Sequence, residues 1–85
     1  MVYEYKEQRP RIFTEYGVQC LVRAIRKTDK LLETSGAFME GAVYDVSADS
    51  WLTSALLDYL VEIKEIEKIT DERVWLQHRV FIRRR

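Results

Sequence analysis

In the middle of the chain the apolar positions recur at helical spacing and then lose it. Trp51, Ala55, Leu56, Leu60 and Ile63 follow one another at three- and four-residue intervals, which places them on one face of a helix over 49–64. Asp49 or Ser50 supplies its N-cap, because a short side-chain oxygen accepts a hydrogen bond from an otherwise unpaired N–H of the first turn. Past Lys64 the helical face is gone, and Ile66–Thr70 reads as a strand. This helix-to-strand joint is the reference around which the other elements are placed.

Upstream, the pattern predicts a first long helix over 14–33. Thr14 is its N-cap, Glu15 suits the positive end of its dipole, and Phe13 and Val18 are spaced for a hydrophobic staple. Val18, Leu21, Val22, Ile25 and Leu32 form the stripe expected to be buried, and Gly36 supplies the stop. Residues 38–46 read as a short helix with Ala42, Val43 and Val46 inward. Gly41 and the β-branched valines leave an extended A-V-Y-D-V strand as the alternative. Downstream, Asp71–Glu72–Arg73 is expected to turn and Val74–Arg83 to return as the second strand of a hairpin. Val74, Leu76, His78, Val80 and Ile82 then share one face, with Trp75, Gln77, Arg79, Phe81 and Arg83 on the other. Residues 1–11, with Val2, Tyr3, Tyr5 and Pro10, read as an extended arm ahead of a domain over 12–85.

Eighty-five residues, 47% of them hydrophobic, suffice for one small domain with a modest core. No apolar run approaches the roughly 20 residues of a membrane span, and M-V-Y-E-Y-K-E does not resemble a signal peptide. A single cysteine excludes an internal disulfide and agrees with a cytoplasmic setting. Formal charge is zero overall but unevenly distributed: seven Lys/Arg against four Asp/Glu in residues 1–30 (+3), two against eight in 31–70 (−6), and five against two in 71–85 (+3). Such a chain offers one surface to phosphate and another to protein.

Helix, loop, short helix, turn, long helix and β-hairpin is the element order of a winged helix-turn-helix domain. L-L-D-Y-L-V-E-I-K-E-I resembles the end of that superfamily's recognition helix and its entry into the wing, with Leu60 as the helix anchor and Ile66 opening the first wing strand. Lys64 stands where a glycine commonly ends the helix. The blocks D-S-W, D-Y-L-V-E-I-K-E-I and Q-H-R-V-F-I are similar to those of small uncharacterised bacterial winged-helix proteins. The resemblance covers roughly residues 14–83. It implies an α+β winged helix-turn-helix fold with two main helices, a short one and a C-terminal β-hairpin wing, and a role in transcription regulation.

The chemistry of the residues narrows this role. Cys20 and His78 are the only residues of their kinds, the three glycines are scattered, and Asp71 and Glu72 sit in a turn, so no catalytic, cofactor or metal motif is present and no enzyme is expected. In a DNA-reading winged helix, the second helix of the motif enters the major groove. Here Asp49, Asp58, Glu62 and Glu65 oppose a single Lys64, leaving Ser50, Thr53 and Ser54 as the only candidates for base contact. Phosphate contact would instead come from Arg23, Arg26, Lys27, Arg79, Arg83 and Arg84, with Arg85 beside them. Tyr3, Tyr5 and Trp75 are the candidate interface residues, tryptophan being a frequent binding anchor. Two functions stay open: a nucleic-acid-associated regulator working mainly through phosphate contacts, and a protein-interaction or homodimerisation module that does not read DNA. DNA and a second copy of the chain are the partners considered, and neither a membrane nor a small-molecule substrate is indicated. A twofold dimer would set the basic first helix against the acidic Asp49–Glu67 segment and bury part of the arm.

Overall fold

In the computed structural model, which describes residues 2–84, the amino-terminal arm is coiled rather than extended. Tyr5–Gln8 form one helical turn (α1), and Arg9–Phe13 continue as a 3-10 turn with Pro10 near its start, where a fixed φ and a missing N–H cost nothing. Coiling has a local cause. Tyr5 and Arg9, four residues apart, come onto one side and both reach Glu62, which an extended chain would not allow.

Thr14 caps the long helix α2 (Glu15–Ser35), its hydroxyl accepting from the Gly17 N–H at 3.0 Å. Gly36 closes it in the left-handed region at φ 77°, donating to the Leu32 carbonyl at 2.9 Å. The buried face of α2 is not the predicted stripe. Gly17, Cys20, Ala24, Thr28 and Leu32 point inward, while Val18, Val22 and Ile25 are exposed and Leu21 is half-buried. Small side chains decide this rotation, because they let the helix backbone come close to its neighbours. At Gly17 a Cβ would collide with the carbonyl oxygens of Arg11 and Ile12, the latter at 2.6 Å. The Phe13 ring ahead of the cap meets Tyr59 edge-on, 5.5 Å between centroids.

The ambiguous stretch divides in two. Ala37–Met39 is a short strand (β1) and Glu40–Val46 a 3-10 segment, so the short helix expected over 38–46 forms as a 3-10 coil after a strand start, with Val43 and Val46 buried and Ala42 exposed. Helix α3 (Ser50–Glu62) follows, capped by Asp49, whose carboxylate accepts from Trp51 N at 2.8 Å and Leu52 N at 3.3 Å. Leu52 to Leu57 and Leu60 are all buried, so α3 is enclosed over most of its circumference instead of along one face. Trp51 is half-buried and Ile63 exposed. Lys64 itself ends the helix, adopting φ 64° while its N–H reaches Val61 O at 3.0 Å and the Glu65 N–H reaches Leu60 O at 2.9 Å. This is a Schellman closure with lysine in the place glycine usually holds.

Two strands complete an antiparallel sheet in the order β1–β3–β2, with β2 at Ile66–Lys68 and β3 at Val80–Arg83. Phe38 lies opposite Phe81 and Lys68 opposite Phe81 on the other side, so β3 is the central strand. The returning strand is shorter than predicted. Asp71 does make the turn, accepting from Arg73 N at 2.8 Å, but Leu76–His78 coil into a 3-10 turn before β3 starts. The result is a long looped connection over 69–79 in place of a simple hairpin. The inward face is also the opposite one, with Arg79 and Phe81 buried and Val80 and Ile82 only half-buried. Phe81 stacks on Phe38 at 5.4 Å in the core. Among the described residues, no helix is long and apolar enough to cross a membrane.

Candidate interaction site

A groove of about 1160 Å³ runs between the arm, α3 and the 69–79 connection, with Tyr3, Trp51, Asp58, Trp75 and Arg79 among its lining residues. Arg79 and Asp58 belong to an ionic network that continues beneath the groove. Arg79 comes from the entry to β3, Glu40 opens the 3-10 segment directly after β1, and Asp58 comes from the last turns of α3. Glu40 is 0% exposed and Arg79 6%. The Arg79 guanidinium donates to Glu40 through Nε at 2.8 Å and Nη2 at 2.6 Å, and to Asp58 through Nη1 at 2.8 Å. The remaining carboxylate oxygens are met by hydroxyls: Ser54 donates to Glu40 at 2.5 Å, Tyr44 to Glu40 at 3.1 Å, and Tyr3 to Asp58 at 2.6 Å. Burial works against the charged guanidinium, yet Asp58 and Glu40 outweigh it and hold the Arg79 pKa above its usual value. Burial raises the Tyr44 pKa to about 12, helped by the negative charge of Glu40. The Tyr3 phenol is raised by burial first and then by its bond to Asp58.

A second cluster pins the arm to the end of α3. Tyr5 donates to Glu62 at 2.7 Å, and Arg9 makes a two-point contact with the same carboxylate at 2.9 and 2.7 Å. These bonds, that from Arg9 leading, lower the Glu62 pKa to about 2. Arg11 holds the Asp49 cap at 2.7 Å and, by that hydrogen bond, lowers its pKa. Three of the five acidic residues of the 49–67 segment, Asp49, Asp58 and Glu62, are therefore engaged within the chain.

The residues singled out for nucleic acid do not share one surface role. Thr53, Ser54 and Arg79 are buried, and none presents a donor to a phosphate or a base edge: Thr53 lies inside the packed α3, Ser54 donates to Glu40, and Arg79 is turned into its two carboxylates. Ser50 is exposed at the start of α3. Arg23 reaches back to the Val46 carbonyl at 3.3 Å, Lys27 pairs with Asp45 at 3.3 Å, and Arg83 lies 3.6 Å from Asp29. Arg26 and Arg84 are exposed and enter no ion pair among the described residues, while Arg85 lies outside them.

Of the interface candidates, Trp75 is 76% exposed on the connection. Tyr3 and Tyr5 are half-buried against the chain's own α3, and Tyr3 meets Trp51 edge-on at 6.3 Å. Two features escaped the sequence pattern. The Glu40–Arg79–Asp58 network joins residues 18 to 39 positions apart, and no local signal links them. The exposed Val18–Val22–Ile25 stripe looks, in sequence, like an ordinary buried helix face. Chemically, the network offers neither a nucleophile nor an unengaged base, and among the described residues no three His, Cys, Asp or Glu side chains are grouped as a metal would need. Comparison with protein families, curated proteins and solved structures returned no match for the chain.

Proposed function

We propose that this chain is a small, non-catalytic protein-interaction module built on a winged helix-turn-helix scaffold that does not read DNA bases. The element order α2, β1, 3-10 segment, α3, β2, connection, β3, with β3 central in the sheet, supports the winged-helix reading. One observation carries the functional half. The helix that would enter a major groove is enclosed: Leu52–Leu57 are buried, and the arm is bonded across α3 at Asp58 and Glu62. Large apolar side chains are left open elsewhere, on α2 and at Trp75, where protein contact has something to gain.

Fluorescence anisotropy with mixed-sequence duplexes at low and physiological salt tests this reading. The expected result is no sequence-selective complex at any salt. A tight, selective complex abolished by Ser50→Ala would sink it, since α3 would then be reading bases. The nucleic-acid reading keeps one supporting observation, that exposed Arg26 and Arg84 enter no ion pair among the described residues. On that reading, binding is weak, directed to phosphate and lost steeply as salt rises.

A further inference from the structure

The open ridge of α2, we propose, pairs with the same ridge of a second copy to form an antiparallel twofold dimer. This deepens the protein-interaction reading and rests on it, naming the partner as the chain itself. Val18, Val22 and Ile25 are 46%, 42% and 39% exposed and stand four and then three residues apart, so they line a single strip along the helix. That interval is the one by which two helices pack side by side. Half-buried Leu21 borders the strip.

The charges beside the strip select both partner and direction. Glu15 and Arg26 are separated by about three helical turns and so lie on the same flank. Neither enters an ion pair among the described residues. The midpoint of Glu15 and Arg26 and the midpoint of Val18 and Ile25 both fall between residues 20 and 22. A twofold axis crossing α2 there sets Val18 of each copy against Val22 and Ile25 of the other. The same axis brings each Glu15 to Arg26 of the other copy, because this symmetry keeps a flank facing its own equivalent. A parallel pair would place the two Glu15–Arg26 flanks on opposite sides of the interface, where neither charge meets its counterpart. Asp29 continues the line of the strip, but Arg83 stands 3.6 Å from it and offsets its charge. The other sign match, basic α2 against the acidic 49–67 segment, is largely used inside the chain: Asp49 holds Arg11, Asp58 holds Arg79 and Glu62 holds Arg9. A strip of two turns makes a small interface, which belongs to the weak, transient class.

Sedimentation equilibrium of the full chain, from low micromolar to submillimolar concentration, tests the pairing. A reversible monomer–dimer equilibrium is expected. Val22→Glu should raise the dissociation constant about tenfold or more while leaving the thermal midpoint within a few degrees, as befits an exposed site. Glu15→Arg and Arg26→Glu alone should each weaken the dimer, and the two together should restore it to within about threefold of the parent. The restoration cannot come from helix stability, because the double variant still carries the unfavourable positive charge at the helix start. A single 10.2 kDa species throughout the range, a dimer indifferent to Val22→Glu, or a double variant no better than the single ones would each overturn the pairing. Failure of the interaction reading would look different: a selective DNA complex dependent on Ser50, whatever the oligomeric state.

Discussion

At Arg79, two opposing energies meet. Removing a guanidinium from water is expensive, and the cost is offset only where carboxylates and hydrogen bonds replace the water in good geometry. Here they do, with Glu40 engaged at two points and Asp58 at a third. Arg79→Met should therefore cost about 3–5 kcal/mol, since it strands the buried Glu40 charge. Replacing all three groups together (Arg79→Met, Glu40→Gln, Asp58→Asn) should recover at least half of that loss, because no uncompensated charge remains. Urea titration of the two variants decides the matter, and a single-variant cost below about 1 kcal/mol would mean the network is solvated. None of this was legible in the sequence. Arg79 has polar Gln77 and exposed-strand spacing as its context, and alternation alone marks it as a surface cation. The carboxylates that bury it lie on other elements.

The elements were legible where the signal is local and lost where packing decides. Thr14, Gly36 and Asp49 announce the ends of α2 and the start of α3, and each does in the structure what its chemistry predicts. The rotation of α2 was misread because valine and isoleucine outweigh Gly17, Cys20, Ala24 and Thr28 in hydrophobicity. Close approach favours the smaller set. The arm was misread because the reason for its coil, Glu62, lies more than 50 residues away. That docking carries a pH signature. Tyr3, Tyr5 and Tyr44 all have pKa values raised above the ordinary 10.0, burial being the first cause in each, so the fold favours their neutral forms. A raised pKa contributes stability that is present below pH 10 and lost as pH climbs toward about 12, the value for Tyr44. Glu62 works in the opposite sense: its depressed pKa contributes above the ordinary 4.5 and is lost as pH falls toward about 2. Denaturation midpoints measured against pH should thus form a plateau with a fall on either side. In the Tyr3→Phe/Tyr5→Phe double variant the alkaline fall should be shallower. An unchanged alkaline slope would assign the sensitivity to other groups, such as the lysines.

On the scale of the whole molecule, α3 packs against the arm, α2, the 3-10 segment and β2. The arm bonds to Asp58 and Glu62, Arg11 holds the cap at Asp49, Ser54 supports Glu40, and β2 begins four residues after the helix ends. A small domain arranged around one enclosed helix has no second core to fall back on, so it should unfold in a single transition. Leu60 tests this most directly. It is 2% exposed, its carbonyl accepts the Glu65 N–H that closes α3, and it stands in the same core as Phe81 and Ile66. Truncation to alanine removes buried methyl groups and leaves a cavity that the surrounding helix and sheet can only partly close. The expected cost of Leu60→Ala is about 2–5 kcal/mol. In a domain whose total stability is of order 5–10 kcal/mol, that is a large share. At about 4–8 °C per kcal/mol for a chain of this size, the melting midpoint should fall by roughly 10 °C or more. Far-UV circular dichroism and Trp51 fluorescence should report the same lowered midpoint, because helix content and arm docking are lost together. Trp75→Ser, at a position open to solvent, serves as the control and should leave the midpoint nearly unchanged. A Leu60→Ala protein melting within a degree or two of the parent would show that α3 is not the centre of the fold.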